Sequence, residues 1–524
     1  MNLVNNPTQR DMMTPDDDLS AEQRHALELV LSGSNVLVTG PGGTGKTYLI
    51  RRIVQRLLES GKQPAVTALT GAAAALMTDI GARTLHSWGG ILARDDVSAE
   101  DKARRVLRKR DIRDRWREID IIIIDEISMM SPKLAIDVDV IARHVRGTQR
   151  GYKERQTQPF GGLQVVFVGD FFQLPPVVPR GSEKTFLFET TPSERSRGYL
   201  PPFSRVIRSK RQVVVLRKNF RQADGAPYLA MLDRARYGSI TDEDAAMLRK
   251  RLISTLIRDG ENPRDMVVKP TWLLPTRRQV EDINKCEMAK LDAGTEVSYA
   301  PNTVQKRVVV ISSGGTAAGD GDEAETAPEM IVAWDTLSRE PRDYLDPDED
   351  EDPFVNPGRV TEKTAVEEAD KTGQYDPELR LRLGAQVMIT ANLDLAKGIV
   401  NGTRGVVEAL TTDSASVRLR NGKRITVKAR VFETAHTRIG RKQLPLVLAW
   451  AVTIHKSQGQ TLDCAEIDLG ERVFADGQAY VALSRVKSLD GLFLRTFRRT
   501  AIRASPVVSA FATAVGDCLP AMTG

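Results

Sequence analysis

The sequence predicts an α/β fold with two parallel-sheet halves, and three observations support this class. The first is the β-branched run IDIIIID (119–125), which is typical of a strand buried on both faces at the centre of a parallel sheet. The second is the alternation of strand-like and helix-like segments from the N-terminal region to QVVVL (212–216). The third is a similar pattern that starts with QVVVL and resumes at LPLVLAWAVTIH (444–455) and CAEIDLG (464–470).

The first half follows a regular order of elements. Four apolar segments that end at polar or small residues are predicted as its strands: NVLVTG (35–40), AVTAL (65–69), IDIIIID (119–125) and LQVVFVGD (163–170). A glycine-rich turn and the helix TYLIRRIVQRLLES (47–60) follow the first of these strands. The basic stretch 101–118 is predicted to be a helical interruption, most simply with a solvated face.

Residues 300–440 differ from both halves. They include an acidic low-complexity tract, 312–358. Its two runs SSGGTAAGDGDEAETAPE (312–329) and DPDEDEDPFVNPG (346–358) are too polar and too rich in proline and glycine to form a packed core. We interpret this tract either as a disordered, solubilising insert or as a decoy that competes with a polyanion for basic groups. Four segments at close spacing then predict the strands of a small β-barrel-like domain: AQVMIT, GVVEAL, ASVRLR and KRITVKA.

Length and composition limit the class of protein. A chain of 524 residues is too long for one core and predicts roughly three or four domains. The polar residues 1–18 are expected to be flexible and show no secretory signal, and no apolar run has the length of a membrane span, so no membrane partner is expected. The isolated cysteines Cys286, Cys464 and Cys518 cannot form a metal cluster by themselves and suit a reducing compartment.

The charge is unevenly distributed. The net charge is +6, but residues 320–352 contain 14 acidic residues against two arginines, a net of −12, so the rest of the chain carries +18. A basic body with an acidic insert indicates a polyanionic partner, most often nucleic acid. A charged, solvated surface explains the composition equally well.

The segment GPGGTGKT (40–47) predicts a phosphate-binding loop. It fits the pattern G-x-x-x-x-G-K-[ST] and lies between a predicted strand and a predicted helix. The glycines allow backbone N–H groups to approach phosphate oxygens, and the helix N-terminus adds partial positive charge. Lys46 is expected to reach the β- and γ-phosphates of ATP, and the Thr47 hydroxyl to bind Mg²⁺.

The loop gives a role to the two carboxylates Asp125 and Glu126 at the end of the apolar run. A nucleoside triphosphate needs Mg²⁺ between its β- and γ-oxygens and an acid at the end of a neighbouring strand to hold the metal. Asp125 is expected to be this acid, and Glu126 to be the base that orients or deprotonates the attacking water. The pattern therefore predicts an NTPase that uses ATP and Mg²⁺.

Two arginine motifs narrow the prediction to a two-lobe motor. LRKNFRQ places Arg221 after the first strand predicted for the second half, and GQAYVALSRVKS places Arg485 late in that half. Arginines supplied from a facing lobe stabilise the charge that spreads over the γ-phosphate during hydrolysis. Each arginine alone is more typical of a surface salt bridge, and it is their joint placement opposite a complete phosphate loop that favours the motor.

In order along the chain, these motifs resemble those of the petite-integration-frequency (PIF) helicases, the RecD-like branch of superfamily 1B. The resemblance rests on LSAEQRHAL, TALTGAAAA, TLHSW, the stretch from EIDIIIIDEISMM to ARHVR, PFGGLQVVFVGDFFQLPPV, LRKNFRQ, AWAVTIHKSQGQTLD and GQAYVALSRVKSLDGL. It implies two RecA-like lobes, with a small wedge insertion in the first and an SH3-like insertion in the second. The implied ranges are lobe 1A at 19–205, its wedge 1B at 87–117, lobe 2A at 206–299 and 441–515, and insertion 2B at 300–440. The acidic tract departs from the family pattern.

The resemblance also assigns site residues. It implies a γ-phosphate sensor at Gln173, which joins Lys46, Glu126, Arg221 and Arg485 as catalytic residues. The ATP contacts it implies are Gln23, Gly40, Pro41, Gly42, Gly43, Thr44, Gly45, Lys46, Thr47 and Gly459. The DNA contacts it implies are Thr70, Gly71, His86, Trp88, Thr453, His455, Lys456, Ser457, Tyr480 and Lys487. On physical grounds His86 and Trp88 could stack on bases, or could be a capping residue and a core residue.

The expected function is therefore an ATP-dependent helicase that translocates on single-stranded DNA and unwinds duplex, with 5′-to-3′ polarity implied by the resemblance alone. The expected partners are single-stranded and forked DNA, bound by a monomer, in replication, repair, recombination or telomere maintenance. The expected location is the cytoplasm (nucleoid) in a bacterium or virus, and the nucleus or mitochondrion in a eukaryote. Two alternatives remain: an RNA-translocating ATPase, and a nucleotide-gated protein that binds single-stranded nucleic acid and hydrolyses ATP slowly.

Overall fold

The computed structural model of the protein describes residues 18–91, 97–149, 151–176, 185–189, 200–222, 227–266, 268–311, 329–337, 340–341, 361–372, 375–391, 393–394, 397, 399–433 and 439–517. The segment 1–17 and most of the acidic tract 312–358 lie outside these ranges, and so do the expectations about their flexibility. The chain divides into two compact units. The first contains residues up to Pro263, Trp272–Arg277 and the chain from Thr453 onward, and the second contains Arg264–Thr271 and Arg278–Val452.

The first unit is built on a six-stranded parallel sheet. Its strands are β1 (Val36–Thr39), β2 (Pro64–Ala68), β3 (Arg83–Thr84), β4 (Ile121–Asp125), β5 (Gln164–Gly169) and β6 (Val213–Val215). Their order across the sheet is β3-β2-β4-β5-β1-β6. All five residues of β4 are buried, as expected for a central strand covered on both faces.

Helices cover both faces of this sheet. They are α1 (Ala21–Leu31), α2 (Lys46–Glu59), α3 (Gly71–Ala75), α4 (Leu85–Gly89), α5 (Ala99–Arg108), α6 (Arg110–Glu118), α7 (Pro132–Gly147) and α8 (Pro202–Val206). The α2 helix buries Leu49, Ile50, Ile53 and Leu57, which recur at the helical period. This apolar face fixes the helix that begins at Lys46 against the sheet.

The chain then continues through α9 (Pro227–Arg236), α10 (Asp242–Lys250), α11 (Ile253–Arg258), β7 (Thr271–Leu274), α12 (Arg277–Ala289), β8 (Val297–Tyr299), β9 (Asn302–Ile311), β10 (Glu329–Thr336), α13 (Glu362–Thr372), β11 (Leu379–Leu381), β12 (Gln386–Ile389), β13 (Arg404–Leu410), β14 (Ser414–Leu419), β15 (Arg424–Lys428), β16 (Arg430–Glu433), β17 (Ile439–Gln443), β18 (Leu446–Leu448), β19 (Ala451–Thr453), β20 (Ala465–Leu469), α14 (Gln478–Ser484), β21 (Leu492–Phe497) and α15 (Pro506–Val515). A second, smaller sheet has the order β19-β7-β20-β21, and β20 and β21 pair in parallel.

None of the described helices combines the length and the apolar character needed to cross a membrane.

One predicted strand belongs to a different sheet from the one expected. QVVVL was expected to open the second half, but its strand β6 pairs in parallel with β1 at the edge of the first sheet. The boundary at residue 205 is therefore wrong, and Arg221 follows the last strand of the first sheet. The alternation of elements shows that a strand exists, but it does not show which sheet the strand joins.

The second unit contains the predicted small β-domain. The four segments predicted as strands form β12 to β15, which join β18 in an antiparallel sheet of order β15-β14-β13-β12-β18. Its core includes Val387, Val407, Val417 and Val427. The SH3-like classification of this domain stays a prediction.

The acidic tract is not uniformly without structure. The apolar letters MIVAW (330–334) lie within β10, which pairs antiparallel with β9. Apart from Glu329, the residues of β10 lie between the two polar runs, 312–329 and 346–358, for which no packed core is predicted. The remaining residues of the tract that carry the acidic runs lie outside the described residues.

A buried ion pair anchors the basic insertion to the first unit. The Lys102 ammonium on α5 donates to the Asp137 carboxylate on α7 at 2.6 Å, and the two side chains are 3% and 4% exposed. Lys102 therefore departs from the solvated face predicted for the basic stretch. Helix α7 is the first α-helix after the carboxylates at the end of β4. The ion pair between Lys102 and Asp137 therefore connects the basic insertion to that helix.

We expect Lys102→Met to lower the free energy of unfolding of the first unit by about 3–5 kcal/mol, because Asp137 is left buried without its main partner. The double variant Lys102→Met/Asp137→Leu should recover most of that loss. The matched control is Arg104→Met, which removes a pair with Asp101 whose side chains are 65% and 52% exposed, and should cost less than about 1 kcal/mol. Urea unfolding followed by tryptophan fluorescence measures the differences. Equal costs for Lys102→Met and Arg104→Met would contradict the prediction.

Candidate functional site

The site begins at the loop between β1 and α2. Gly43 has a φ of 96° and Gly45 a φ of 76°, in the left-handed region that favours glycine. A Cβ on Gly43 would lie 2.8 Å from the Asn219 Oδ1 atom, and a Cβ on Gly45 would lie 2.7 Å from the Gln23 Nε2 atom. Glycine is therefore required at these positions both for backbone conformation and for close packing around the loop.

Lys46 lies at the first position of α2 and turns toward the loop. Its Nζ atom donates to the carbonyl oxygens of Gly40 and Pro41, both at 2.8 Å. Burial lowers the pKa of Lys46, and the charges of Asp170, Glu126 and Asp125 oppose this shift. The ammonium group is thus held over the loop and surrounded by carboxylates.

Asp125 and Glu126 form a buried carboxylate pair at the end of β4. The Glu126 N–H donates to the Asp125 Oδ1 atom at 2.8 Å. Burial, followed by the charge of Glu126, raises the pKa of Asp125 to about 7. The phosphate loop follows β1, and strand β5 lies between β1 and β4, the strand that ends at Asp125. The expectation that the acid lies on the strand directly beside β1 is therefore wrong.

Glu126 has an unusual backbone conformation. Its φ of 58° and ψ of 43° place it in the left-handed region, which costs a residue with a Cβ roughly 1–2 kcal/mol. The neighbouring Gly169 leaves room for this turn, since a Cβ there would lie 2.7 Å from the Ile127 nitrogen. Strain of this kind is concentrated at functional sites, where it directs a side chain that regular geometry would point elsewhere.

Two guanidinium groups reach the same loop. A Cβ on Gly42 would lie 3.0 Å from the Arg485 Nη2 atom and 3.4 Å from the Arg221 Nη1 atom. Burial, followed by the charge of Arg485, lowers the pKa of Arg221 to about 9, and burial also lowers the pKa of Arg485. Arg221 Nη1 donates to the Ser484 carbonyl at 2.8 Å, so the two arginine segments also contact each other. Two desolvated cations at one backbone position favour binding of an anion there.

The other predicted ATP contacts lie around the loop. Gln23 is buried, and its Nε2 atom donates to the Thr44 carbonyl at 3.2 Å. Gln173 is buried near the end of β5. A Cβ on Gly459 would lie 3.5 Å from the Glu126 Oε1 atom, which places this glycine beside the predicted base. Thr47 follows Lys46 in α2.

The two aromatic residues Trp88 and Tyr480, both predicted to contact DNA, are buried. The Tyr480 side chain is 2% exposed. Its hydroxyl accepts from the Gly42 N–H at 3.0 Å and donates to the Asp170 Oδ2 atom at 3.4 Å. Trp88 packs edge-on against Trp116, with ring centroids 4.7 Å apart. Both predictions are corrected: Tyr480 contacts the phosphate loop, and Trp88 is a core residue. The Tyr480 hydroxyl is held between the phosphate loop and Asp170, and Trp88 belongs to the apolar core that also contains Trp116.

The remaining predicted DNA contacts differ in exposure. Lys456 and Lys487 are exposed, and Lys487 pairs with Asp463 at 2.7 Å. His455 is half-buried, and its ring stacks on Phe474 with centroids 6.2 Å apart. Four others are partly or fully enclosed within local turns or helix starts: Thr70, Gly71, Thr453 and Ser457. His86 is half-buried, and burial followed by the charge of Lys102 lowers the pKa of this histidine.

The Thr453 and Ser457 hydroxyls are used within the protein. Thr453 Oγ1 accepts from the Lys456 N–H at 3.2 Å, and Ser457 Oγ donates to the Ile454 carbonyl at 2.8 Å. They stabilise the turn rather than face outward. The exposed part of this segment is Lys456 with the edge of His455.

Sequence reasoning missed three residues at the site. The Phe220 ring is exposed and would lie 3.4 Å from a Cβ on Gly45, so it flanks the loop beside Gln23. Phe474 is 54% exposed against His455. Gln458 donates from Nε2 to the Glu126 Oε2 atom at 2.8 Å. Each lies within two residues of a predicted site residue or stacks on one, but only the fold shows which of these neighbours face the site.

Comparison with known proteins identifies the family. The sequence profile described as PIF1-like helicase matches residues 18–245, and that of the DNA helicase Pif1 2B domain matches residues 372–410. A relative from Bdellovibrio bacteriovorus, ATP-dependent DNA helicase Pif1, is 30% identical over 498 residues, covering 94% of this chain and 91% of the relative. The chain belongs to the PIF1-like helicase family.

Two further PIF1 relatives define how far the likeness extends. The ATP-dependent DNA helicase PIF1 of Danio rerio is 33% identical over 499 residues, which cover 94% of this chain but 63% of the relative's length. The crystal structure of the Pif1 helicase from Candida albicans superposes with a TM-score of 0.66 at 28% identity, covering 95% of this chain and 99% of the other. The predicted family and the α/β class with parallel sheets are confirmed.

We expect Tyr480→Phe to weaken ATP binding or turnover by about 5- to 100-fold, because the Gly42 N–H loses a buried acceptor, a change of about 1–3 kcal/mol. The affinity for single-stranded DNA should stay within about twofold, because the ring is enclosed. Nucleotide titrations and fluorescence anisotropy with a labelled oligonucleotide measure the two affinities. A selective loss of DNA binding would restore Tyr480 to the DNA surface.

Proposed function

We propose that this chain is an ATP-dependent DNA helicase, which hydrolyses ATP to translocate along single-stranded DNA and to separate the duplex ahead. The observation that carries the proposal is the convergence of Arg221 and Arg485 on the phosphate loop beside Glu126. A protein that only binds nucleotide has no need of two buried arginines at the loop. The PIF1 relatives that bear the name ATP-dependent DNA helicase support the same function.

ATP would be bound at the loop by its phosphates and by its base. The loop N–H groups and the Lys46 ammonium donate to the phosphate oxygens, and the start of α2 adds partial positive charge. The exposed Phe220 ring and the Gln23 amide flank the loop, and they offer a stacking surface and a polar edge for the adenine. This arrangement fits a nucleotide better than inorganic phosphate.

The donor set around the carboxylates fits Mg²⁺. Asp125 is a buried carboxylate whose ionisation is disfavoured by burial, a penalty that a nearby cation relieves. The described residues contain no group of three acidic, histidine or cysteine side chains that could hold a metal alone. Mg²⁺ suits such a site, because it usually takes one or two protein carboxylates together with substrate phosphates and water.

Asp125 and the Thr47 hydroxyl would hold this ion, which supplies neutralisation of charge on the β- and γ-phosphate oxygens. Glu126 would accept the proton of the attacking water, and its left-handed backbone sets the direction in which its side chain leaves the end of β4. Arg221 and Arg485 then stabilise the charge that develops on the γ-phosphate oxygens. Gln173, buried near the end of β5, is proposed as the sensor of the γ-phosphate.

We propose that the DNA surface includes Lys456 and the stacked pair of His455 and Phe474. Lysine at an exposed turn contacts phosphate without reading sequence. An exposed aromatic ring offers a stacking surface worth about 1–3 kcal/mol per base. The net charge of +18 outside residues 320–352 adds long-range attraction for single-stranded and forked DNA.

The finer proposals follow the family. We propose two RecA-like lobes, with lobe 1A extended to include β6, wedge 1B at 87–117 and insertion 2B within 300–440. We propose 5′-to-3′ polarity, action as a monomer, and roles in replication, repair, recombination or telomere maintenance. The protein would act where its DNA lies: the nucleoid in a bacterium, or the nucleus or mitochondrion in a eukaryote.

We expect Arg485→Ala to bind ATP with near-native affinity and to hydrolyse it about 10³- to 10⁵-fold more slowly at saturating single-stranded DNA, because the guanidinium acts on transition-state charge. Nucleotide titration and steady-state ATPase measure the two effects. Lys46→Ala is the control that loses turnover through the phosphate loop. A near-native rate for Arg485→Ala would overturn the two-lobe mechanism.

We expect native protein to displace a strand from a 5′-tailed duplex and not from a 3′-tailed duplex, and single-stranded DNA to stimulate its ATPase more than RNA of the same sequence. Preferential stimulation by RNA would favour the RNA-translocating alternative. DNA binding with slow hydrolysis and no strand displacement would favour the nucleotide-gated binding protein.

A further inference from the structure

The segment from Thr453 to Gln458 forms one compact turn with two different sides. The Ser457 N–H donates to the Thr453 carbonyl at 3.1 Å, and the Gln458 N–H donates to the His455 carbonyl at 3.3 Å. Lys456 is exposed on one side of this turn, whereas the Gln458 side chain is 1% exposed on the other. The proposed DNA contact and the buried amide are therefore two residues apart in one hydrogen-bonded unit.

The buried side of the turn covers the predicted catalytic base. Gln458 Nε2 donates to the Glu126 Oε2 atom at 2.8 Å. Gly459 lies next to the other oxygen, since its Cβ would be 3.5 Å from Glu126 Oε1. With a φ of 79°, Gly459 has the left-handed conformation that favours glycine, and this lets the turn pass close to the carboxylate.

The hydrogen bond opposes the function of a base. A donor on a carboxylate oxygen partly compensates its negative charge and occupies one of its lone pairs. The Oε2 lone pair that the amide occupies is therefore not open to the attacking water. A base held in this way is correctly placed but less reactive.

The amide is also easily released. Among the described residues the Gln458 Oε1 atom has no hydrogen-bond partner, so the side chain is tied at its end by the Glu126 contact. A small change in the turn can withdraw the amide without breaking a second side-chain hydrogen bond. The exposed face of the same turn is where a DNA phosphate would act.

We propose that Gln458 is a positioning residue that restrains Glu126 until single-stranded DNA binds the exposed face of the 453–458 turn, and thereby couples DNA binding to ATP hydrolysis. The inference rests on the proposed function, because it assumes that Glu126 is the base and that DNA contacts this turn. Binding at Lys456 and His455 shifts the turn and removes the Gln458 amide from Glu126, which is then free to accept a proton.

The test is Gln458→Leu, which keeps the approximate volume of the side chain and removes the donor. We expect the ATPase turnover without DNA to rise about 10- to 150-fold, the scale of one hydrogen bond to a charged group. Turnover at saturating oligonucleotide should stay within about twofold of native, so the stimulation ratio falls. Fluorescence anisotropy should show unchanged affinity for the oligonucleotide, because the amide does not face the surface.

The matched control is Gln460→Leu. Gln460 is a buried glutamine that follows the same turn, and its side chain makes no described hydrogen bond to Glu126. This variant should keep the native stimulation ratio. Gln458→Asn is a second test in case the leucine variant does not fold: it retains an amide that is one methylene too short to reach Glu126, and it should also raise the DNA-free rate.

Two results would overturn the inference: an unchanged DNA-free rate in folded Gln458→Leu or Gln458→Asn, or a parallel fall of both rates, which would indicate a purely structural role. These outcomes differ from failure of the proposed function. In that case native protein itself would show no DNA-stimulated ATPase, and the inference would fall with it. If DNA stimulates the native protein and both Gln458 variants keep the native ratio of DNA-stimulated to DNA-free turnover, the role of Gln458 is refuted and the proposed helicase function is not.

Discussion

Desolvated charge around the phosphate loop is the constraint on which the site depends. Lys46, Arg221 and Arg485 are cations whose pKa values are lowered by burial, and Asp125 is a carboxylate whose pKa is raised by burial. Buried charges are tolerated when they lie beside charges of opposite sign. The carboxylates at the end of β4 compensate part of the positive charge, and a triphosphate would compensate the rest. The same electrostatic balance therefore supports the fold and favours the ligand.

A second buried network holds the loop backbone in place. Arg236 is 1% exposed and donates to Asp170 at 2.9 Å and to Asp517 at 2.6 Å. Asp170 accepts from the Tyr480 hydroxyl, which in turn accepts from the Gly42 N–H. These residues come from widely separated parts of the chain, so folding of the whole first unit is needed to position Gly42. A fully paired network of this kind resists rearrangement, which gives a preorganised site for phosphate.

The features that were predictable from the sequence are local. The phosphate loop is a contiguous pattern between a strand and a helix, and β4 is a contiguous apolar run, so both were predicted at the correct residues. Strands β12 to β15 were predicted for the same reason. Sheet membership is not local, and QVVVL was therefore placed in the wrong half. The side-chain environments of Trp88 and Tyr480 are not local either, because an aromatic residue in a motif can equally face DNA or the core.

Contacts between distant segments were the least predictable part of the site. Gln458 lies in a motif that was identified, yet its contact with Glu126 joins residues 332 positions apart. No spacing rule connects them, because the intervening chain includes an entire second unit. The sequence identified the segments that form the site, and the fold was needed to show which side chains in those segments meet.

The position of the second unit in the chain explains how the site tolerates such a long interruption. The excursion begins after β7 and ends at β19, and these two strands are neighbours in the small sheet of order β19-β7-β20-β21. Both ends of the excursion are thus fixed close together, and doubling the length of a flexible connection costs only about 0.6 kcal/mol. The β-domain within it has its own apolar core. An acidic tract can therefore be added to residues 300–440 without altering Lys46, Glu126 or Arg485, all of which belong to the first unit.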